Sequence, residues 1–142
     1  MNFYYVEPEV AGGWGKNTVF DRTPKRPTVV HKLHYEFQGW LGDELLESTP
    51  CFIVSERMAE AIEEARLSGA MFDQVEVTTS ERFRELYPNR QLPKFVWLKV
   101  EGTAGNEDLG TAPDARLVVS YRALMLLREL GISHALVTEF RV

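Results

Sequence analysis

The residues best able to do chemistry in this chain are three histidines, one cysteine, a glycine turn ending in lysine, and two Val-Ser-x-Arg runs. Each asks for a specific partner. The turn Ala11-Gly-Gly-Trp-Gly-Lys16 suggests a phosphate loop, which needs an earlier glycine at position 10 and a hydroxyl directly after the lysine. Val10 and Asn17 stand there instead, so no phosphate site is expected. His31 and His34 project to opposite faces of a strand and make poor co-ligands for one metal. Ser55 and Ser120 each follow a short apolar run and open a helical pattern. That is the place of a capping hydroxyl, which accepts from backbone N–H groups rather than attacking a substrate. Cys51 alone forms no disulfide within the chain, and beside Phe52, Ile53 and Val54 it reads as a buried thiol. Glu44 with Glu47, and Glu63 with Glu64, read as solvated helix faces, and Asp43 after Gly42 as a helix start. No combination specifies a reaction, so neither an enzyme nor a metal or other cofactor is expected.

Bulk properties narrow the partners. A chain of 142 residues with 44% hydrophobic and 26% charged residues suits one globular domain. Its net charge of −5 argues against nucleic acid and suits a basic protein partner. No segment approaches the roughly 18 consecutive apolar residues of a membrane span. The opening MNFYYVEPEV lacks a basic region followed by an apolar run, so a cytoplasmic protein without a membrane partner is expected.

A modest set of elements must position these residues. Asn2–Val6 reads as a strand, Ala11–Pro27 as a long irregular connection, and Thr28–Phe37 as a strand with Leu33, Tyr35 and Phe37 on its apolar face. Gly39–Pro50 reads as a turn and a short helix. Then FIVSERMAEAIEEARLSGAMF (52–72) and LVVSYRALMLLRELGISHALV (117–137) align without a gap at an offset of 65, extending to Val77 with Val142. Each predicts strand, serine cap, helix and strand, about 51–77 and 116–142. Met58, Ala61, Ile62 and Ala65 of the first helix match Ala123, Leu126, Leu127 and Leu130 of the second. Both helices are expected on the same sheet. Phe72–Val77 reads as one strand, Thr79-Ser80 as the cap of a short helix to Leu86, Lys94–Val100 as a strand, and Glu101–Pro113 as a polar loop. Together these predict a single α+β domain over 1–142 with a mixed or antiparallel sheet. Duplication and shared local chemistry explain the match equally well. The surplus apolar residues Leu124 and Met125 are read as buried on a second side, with a partner surface as the other explanation.

HKLHYEFQGWLGDELLESTPCFIVSERMAEAI, LSGAMFDQVEV and the closing PDARLVVSYRALMLLRELGISHA resemble immunity proteins of bacterial polymorphic-toxin systems, from His31 onward. Some members of that group carry paired CxxCG motifs for zinc; with Cys51 alone, no metal site carries over. The resemblance implies a protein that neutralises a cognate toxin by stoichiometric binding. A toxin basic around its active site would meet an acidic surface with an aromatic anchor. That singles out Trp40 with Asp43, Glu44 and Glu47, then Asn106, Glu107 and Asp108, then Trp14. Two alternatives stay open. One is a small enzyme or ligand-binding domain with a pocket between sheet and helices, holding His34, His134 or Tyr35 beside a carboxylate. The other is a homodimeric scaffold using Leu124 and Met125.

Overall fold

The computed structural model describes residues 2–24 and 26–141; Val142, the last residue of the repeat match, lies outside them. Along the chain run β1 (Phe3–Glu7), β2 (Gly12–Trp14), β3 (Val19–Thr23), β4 (Arg26–Lys32), β5 (His34–Phe37), β6 (Leu45–Ser48) and β7 (Cys51–Ser55). Next come α1 (Glu56–Glu64), β8 (Ala70–Asp73), β9 (Glu76–Thr79), α2 (Glu81–Leu86), β10 (Phe95–Val100), β11 (Gly102–Thr103) and β12 (Leu109–Thr111). The chain closes with β13 (Leu117–Ser120), α3 (Tyr121–Leu130) and β14 (Leu136–Phe140). The fold is α+β, as its sequence predicts.

The two repeat units do not share a sheet, contrary to expectation. The first belongs to a sheet ordered β6-β7-β10-β8, the second to one ordered β11-β12-β13-β1-β14. Within each, the strand before the helix and the strand after it flank one antiparallel strand. That strand is β10 in the first unit and β1, from the other end of the chain, in the second. Registers agree residue for residue. Phe95 faces Ser55 as Phe3 faces Ser120, and Leu98 lies between Phe52 and Phe72 as Val6 lies between Leu117 and Val137. The outer strands correspond as well: Leu45 pairs Val54 and Leu109 pairs Val119. Agreement across whole sheets exceeds what a shared serine cap would impose. The structure therefore contains one four-stranded unit twice, the second completed by the N-terminal strand.

One core serves both units. Phe52, Val54, Met58, Ile62 and Leu98 of the first join Val6, Leu117, Val119, Leu124 and Leu127 of the second. The first sheet is also buried on its other face, where Leu46, Cys51, Ile53, Phe95 and Trp97 pack against Leu33, against Tyr35 and Phe37 of β5, and against Phe83 of α2. A strand buried on both faces needs apolar residues at consecutive positions. This is why Leu45-Leu46, read as part of a short helix, is strand β6: the two leucines enter opposite cores. It is also why no charge interrupts Cys51 to Val54.

Four further expectations change. The Ala11–Pro27 connection contains β2, which pairs with β5, and β3, which forms a hairpin with β4. Gly12 is a strand residue there because a Cβ would sit 1.9 Å from the Glu36 carbonyl oxygen. Phe72–Val77 divides at Gln74, whose N–H donates to Asp73 Oδ1; β8 stays in the first sheet and β9 joins β5 in parallel. The Thr28–Phe37 strand divides at Leu33, and His34 on its polar side is buried. The Glu101–Pro113 loop contains β11 and β12.

The Val-Ser-x-Arg runs lock the units together. Ser55 Oγ accepts from Met58 N at 3.1 Å and donates to Glu44 Oε1 at 2.6 Å; Ser120 Oγ accepts from Ala123 N at 3.2 Å and donates to Asp108 Oδ1 at 2.7 Å. Arg57 pairs with Glu44 and donates to the Leu130 carbonyl at the end of α3, 2.9 Å away. Arg122 grips Asp108 with two bonds, 2.7 and 3.0 Å, and donates to the Ala65 and Arg66 carbonyls at the end of α1. Each helix thus starts beside the other's end, and each arginine caps the neighbour's orphan carbonyls. Asp108 also accepts from the Ser68 N–H and hydroxyl, at 2.9 and 3.2 Å. Burial alone would raise its pKa, but Arg122, Ser68 and Ser120 together hold it well below the usual carboxylate range.

Asp108→Ala leaves the Ser120 hydroxyl and the Ser68 N–H without their acceptor, and should cost roughly 2–3 kcal/mol in urea unfolding. Because the folded pKa is depressed, the stabilisation is complete above the ordinary carboxylate range and is lost as pH falls from there toward the folded value. The gap between wild type and Asp108→Ala should therefore shrink on acidification.

Candidate functional site

Among the sequence candidates, Trp40 and Asp43 share a loop that is built rather than draped. Glu9, just past β1, is buried, and its carboxylate accepts from Leu41 N at 2.7 Å and from Asp43 N at 3.3 Å. Trp40 Nε1 donates to the Asp43 carbonyl at 2.8 Å, and its ring meets Phe95 edge-on with centroids 6.1 Å apart. The Arg90 guanidinium lies 4.7 Å from the Trp40 ring centroid and 5.8 Å from that of Tyr87. Beside this loop is a shallow depression of about 420 Å³ rimmed by Val10, Trp40, Leu41 and Tyr87. Val10 and Leu41 are well exposed.

Asp43 is not a surface acid. It is 2% exposed and accepts from His134 twice, at backbone N and ring Nδ1, both 2.8 Å, and from the Ser133 hydroxyl at 3.2 Å. His134, on the turn into β14, is exposed, and Asp43 raises its pKa, with Glu9 adding to the pull. Glu9, Asp43 and His134 bring three donor atoms within 4.8 Å of one another, the reach of a single cation. Asp43 meets the imidazole directly, and both carboxylates are engaged by backbone N–H groups. The cluster reads as an internal ion pair that fastens the C-terminal turn to the Trp40 loop.

The other candidates have structural work as well. Glu44 holds Arg57 and Ser55; burial opposes its ionisation, yet those two partners keep its pKa low. Glu47 is half-buried, which raises its pKa, and it accepts from Thr49 Oγ1 at 2.6 Å. Glu107 closes its own loop on Thr103 N and Asn106 Nδ2, at 2.6 and 2.9 Å, and the Thr103 N–H is the main reason its pKa falls. Trp14 packs on Phe20 and directs its buried Nε1, which has no oxygen or nitrogen partner, toward the Cys51 sulfur. Burial pushes the Cys51 thiol up to about 11, leaving it inert at neutral pH. The structure thus groups Trp40 with Asp43 and places Glu44 and Asp108 in the two locks. Trp14 and Asn106–Glu107 lie elsewhere.

Sequence reasoning missed Glu9 and His134 as parts of the Trp40 site. Glu9 is an acid beside Pro8 with no helix to justify it, the one local signal available. His134 offers none, since its partner is 91 positions away.

The residues named for an enzyme pocket are dispersed. His34 is buried, accepts from Asn17 N at Nδ1 (3.2 Å) and faces Thr78 Oγ1 with Nε2 (2.7 Å). Tyr35 bonds the Glu47 carbonyl and Ala11 N, and burial pushes its pKa up to about 12. An open groove of about 700 Å³, lined in part by Val30, Phe52, Trp97, Lys99 and Phe140, contains none of His34, His134 and Tyr35. α1 and α3 contribute nothing to it. Leu124, offered as a dimer contact, is 1% exposed and belongs to the common core, whereas Met125 is 36% exposed. No helix among the described residues is long and apolar enough to cross a membrane.

The raised pKa of His134 has a signed consequence. Its contribution is complete below the ordinary imidazole value and fades as pH rises through the folded value. Relative to His134→Gln, wild type should gain urea resistance near pH 6, and the advantage should shrink toward pH 9, taking about pH 6.5 as the unfolded midpoint.

No protein-family model matches the chain, and no curated protein is significantly similar to it.

Proposed function

We propose that this chain is an immunity protein that neutralises a cognate toxin by stoichiometric binding, without a chemical step of its own. The observation that carries the reading is where reactive side chains are spent. The serines, arginines and buried acids with the most directed chemistry close on one another and hold the fold together. The residues left over are large and outward-facing: Leu41 and Val10 around Trp40, Tyr121 and Met125 on α3, and glutamates along α1. Such a surface suits recognition of another macromolecule, in which a few aromatic or apolar anchors surrounded by charge supply affinity and on-rate. The resemblance of the Pro50–Ser55, Leu67–Phe72 and Pro113–Ala123 segments to immunity proteins supplies the kind of partner.

The test is co-expression with the product of the adjacent upstream gene. Rescue of growth together with an equimolar complex on size-exclusion chromatography is the expected result. Absence of both rescue and complex would remove the reading.

A further inference from the structure

The two repeat units have the same register, so matched helix positions have matched backbone surroundings, and differences at exposed positions are not demanded by the fold. Three such positions differ on the outer face. Glu56, Glu60 and Glu63 of α1 correspond to Tyr121, Met125 and Arg128 of α3. All six are exposed. Tyr121 is 55% exposed at the first turn of α3, where it tilts against Tyr4 of β1 with ring centroids 6.5 Å apart. Met125 follows one turn later. A helix whose sheet contacts match those of α1 yet which carries exposed apolar residues where α1 carries acids has been given them for something other than burial.

The exposed charge beside this patch is mainly acidic, with Glu60, Glu63, Glu64 and Glu129 set against Arg66 and Arg128. Glu56 pairs with Lys94, but Glu60, Glu63 and Glu64 enter none of the ion pairs found among the described residues. Arg57 and Arg122 are neutralised by Glu44 and Asp108, whereas the exposed Arg66 and Arg128 enter none of the ion pairs found among the described residues. The two helices lie side by side, joined at both ends by the arginine locks. The apolar turn of α3 and the acidic stripe of α1 therefore belong to one outward layer.

We propose that this helical layer is the docking surface for a basic protein partner, with Tyr121 and Met125 as its apolar contact and Glu60, Glu63 and Glu64 as its attracting charge. The proposal rests on the toxin-neutralising reading for the partner's identity. A second copy is disfavoured as occupant, because each copy would present the same acidic surplus to the other. The Trp40 depression is the competing surface, but a cation, Arg90, lies over its indole and its acids Glu9 and Asp43 are buried.

The experiment measures affinity and association rate for the adjacent-gene toxin. Tyr121→Glu with Met125→Glu, which installs the residues of the first unit at exposed sites, should weaken binding about 50-fold while leaving the thermal midpoint unchanged. Glu60→Lys, Glu63→Lys and Glu64→Lys together should slow association about tenfold and flatten its salt dependence. Val10→Ser with Leu41→Ser should change affinity by less than about threefold, the scatter of rim substitutions. Wild-type affinity in both helical variants, or a large loss only in the Val10/Leu41 variant, overturns this surface while the neutralising function stands. Failure of the wild type to bind overturns both. A dimer in sedimentation that Met125→Glu abolishes overturns the basic-partner assignment.

Discussion

Each long helix of this protein begins with an arginine in the wrong place for its own dipole. Arg57 and Arg122 lie in the first turns of α1 and α3, where a helix favours negative charge. The cost is offset because each side chain turns away from its own helix to a carboxylate and to the last carbonyls of the other. Three local needs are met in each unit: a hydroxyl cap held by the acid, that partly buried acid neutralised by the arginine, and the other helix's end completed. The rest of the structure depends on this exchange, because it sets the antiparallel placement of the helices and brings the two sheets onto one core.

The acids show the asymmetry inside that symmetry. In the second unit Asp108 alone receives Ser120, Arg122 and Ser68. In the first unit two neighbours divide the equivalent work, Glu44 taking Ser55 and Arg57, and Asp43 taking Ser133 and His134. Splitting the role frees Asp43 to form a pedestal with Glu9 under the Trp40 loop. A buried acid so engaged contributes little surface charge.

Much of the local structure was legible in the sequence because its causes are local. A serine between an apolar run and a helical pattern is a cap, and Ser55, Ser80 and Ser120 all accept from the third residue onward. Apolar continuity from Cys51 to Val54 required a strand buried on both faces. Leu45-Leu46 misled for the same reason it folds as it does: adjacent leucines among acids look helical until a second layer exists to receive the outward one. The glycines of β2 looked like a flexible turn because the strand that needs their small size, β5, is distant in sequence.

By itself, then, the sequence determined the α+β class, the serine-capped helices and the presence of two matching units, since each follows from residues within a turn or two of one another. Only the tertiary structure decided that the units occupy different sheets, that β1 completes the second of them, and that Glu44, Asp43 and Asp108 fasten distant segments of the fold. Those outcomes rest on pairings between residues far apart in the chain, and a carboxylate's role is set by which cation or N–H group reaches it in space. Leu124 and Met125, adjacent in sequence, show the same division: one fills the core and the other faces solvent, because successive helical positions point about 100° apart.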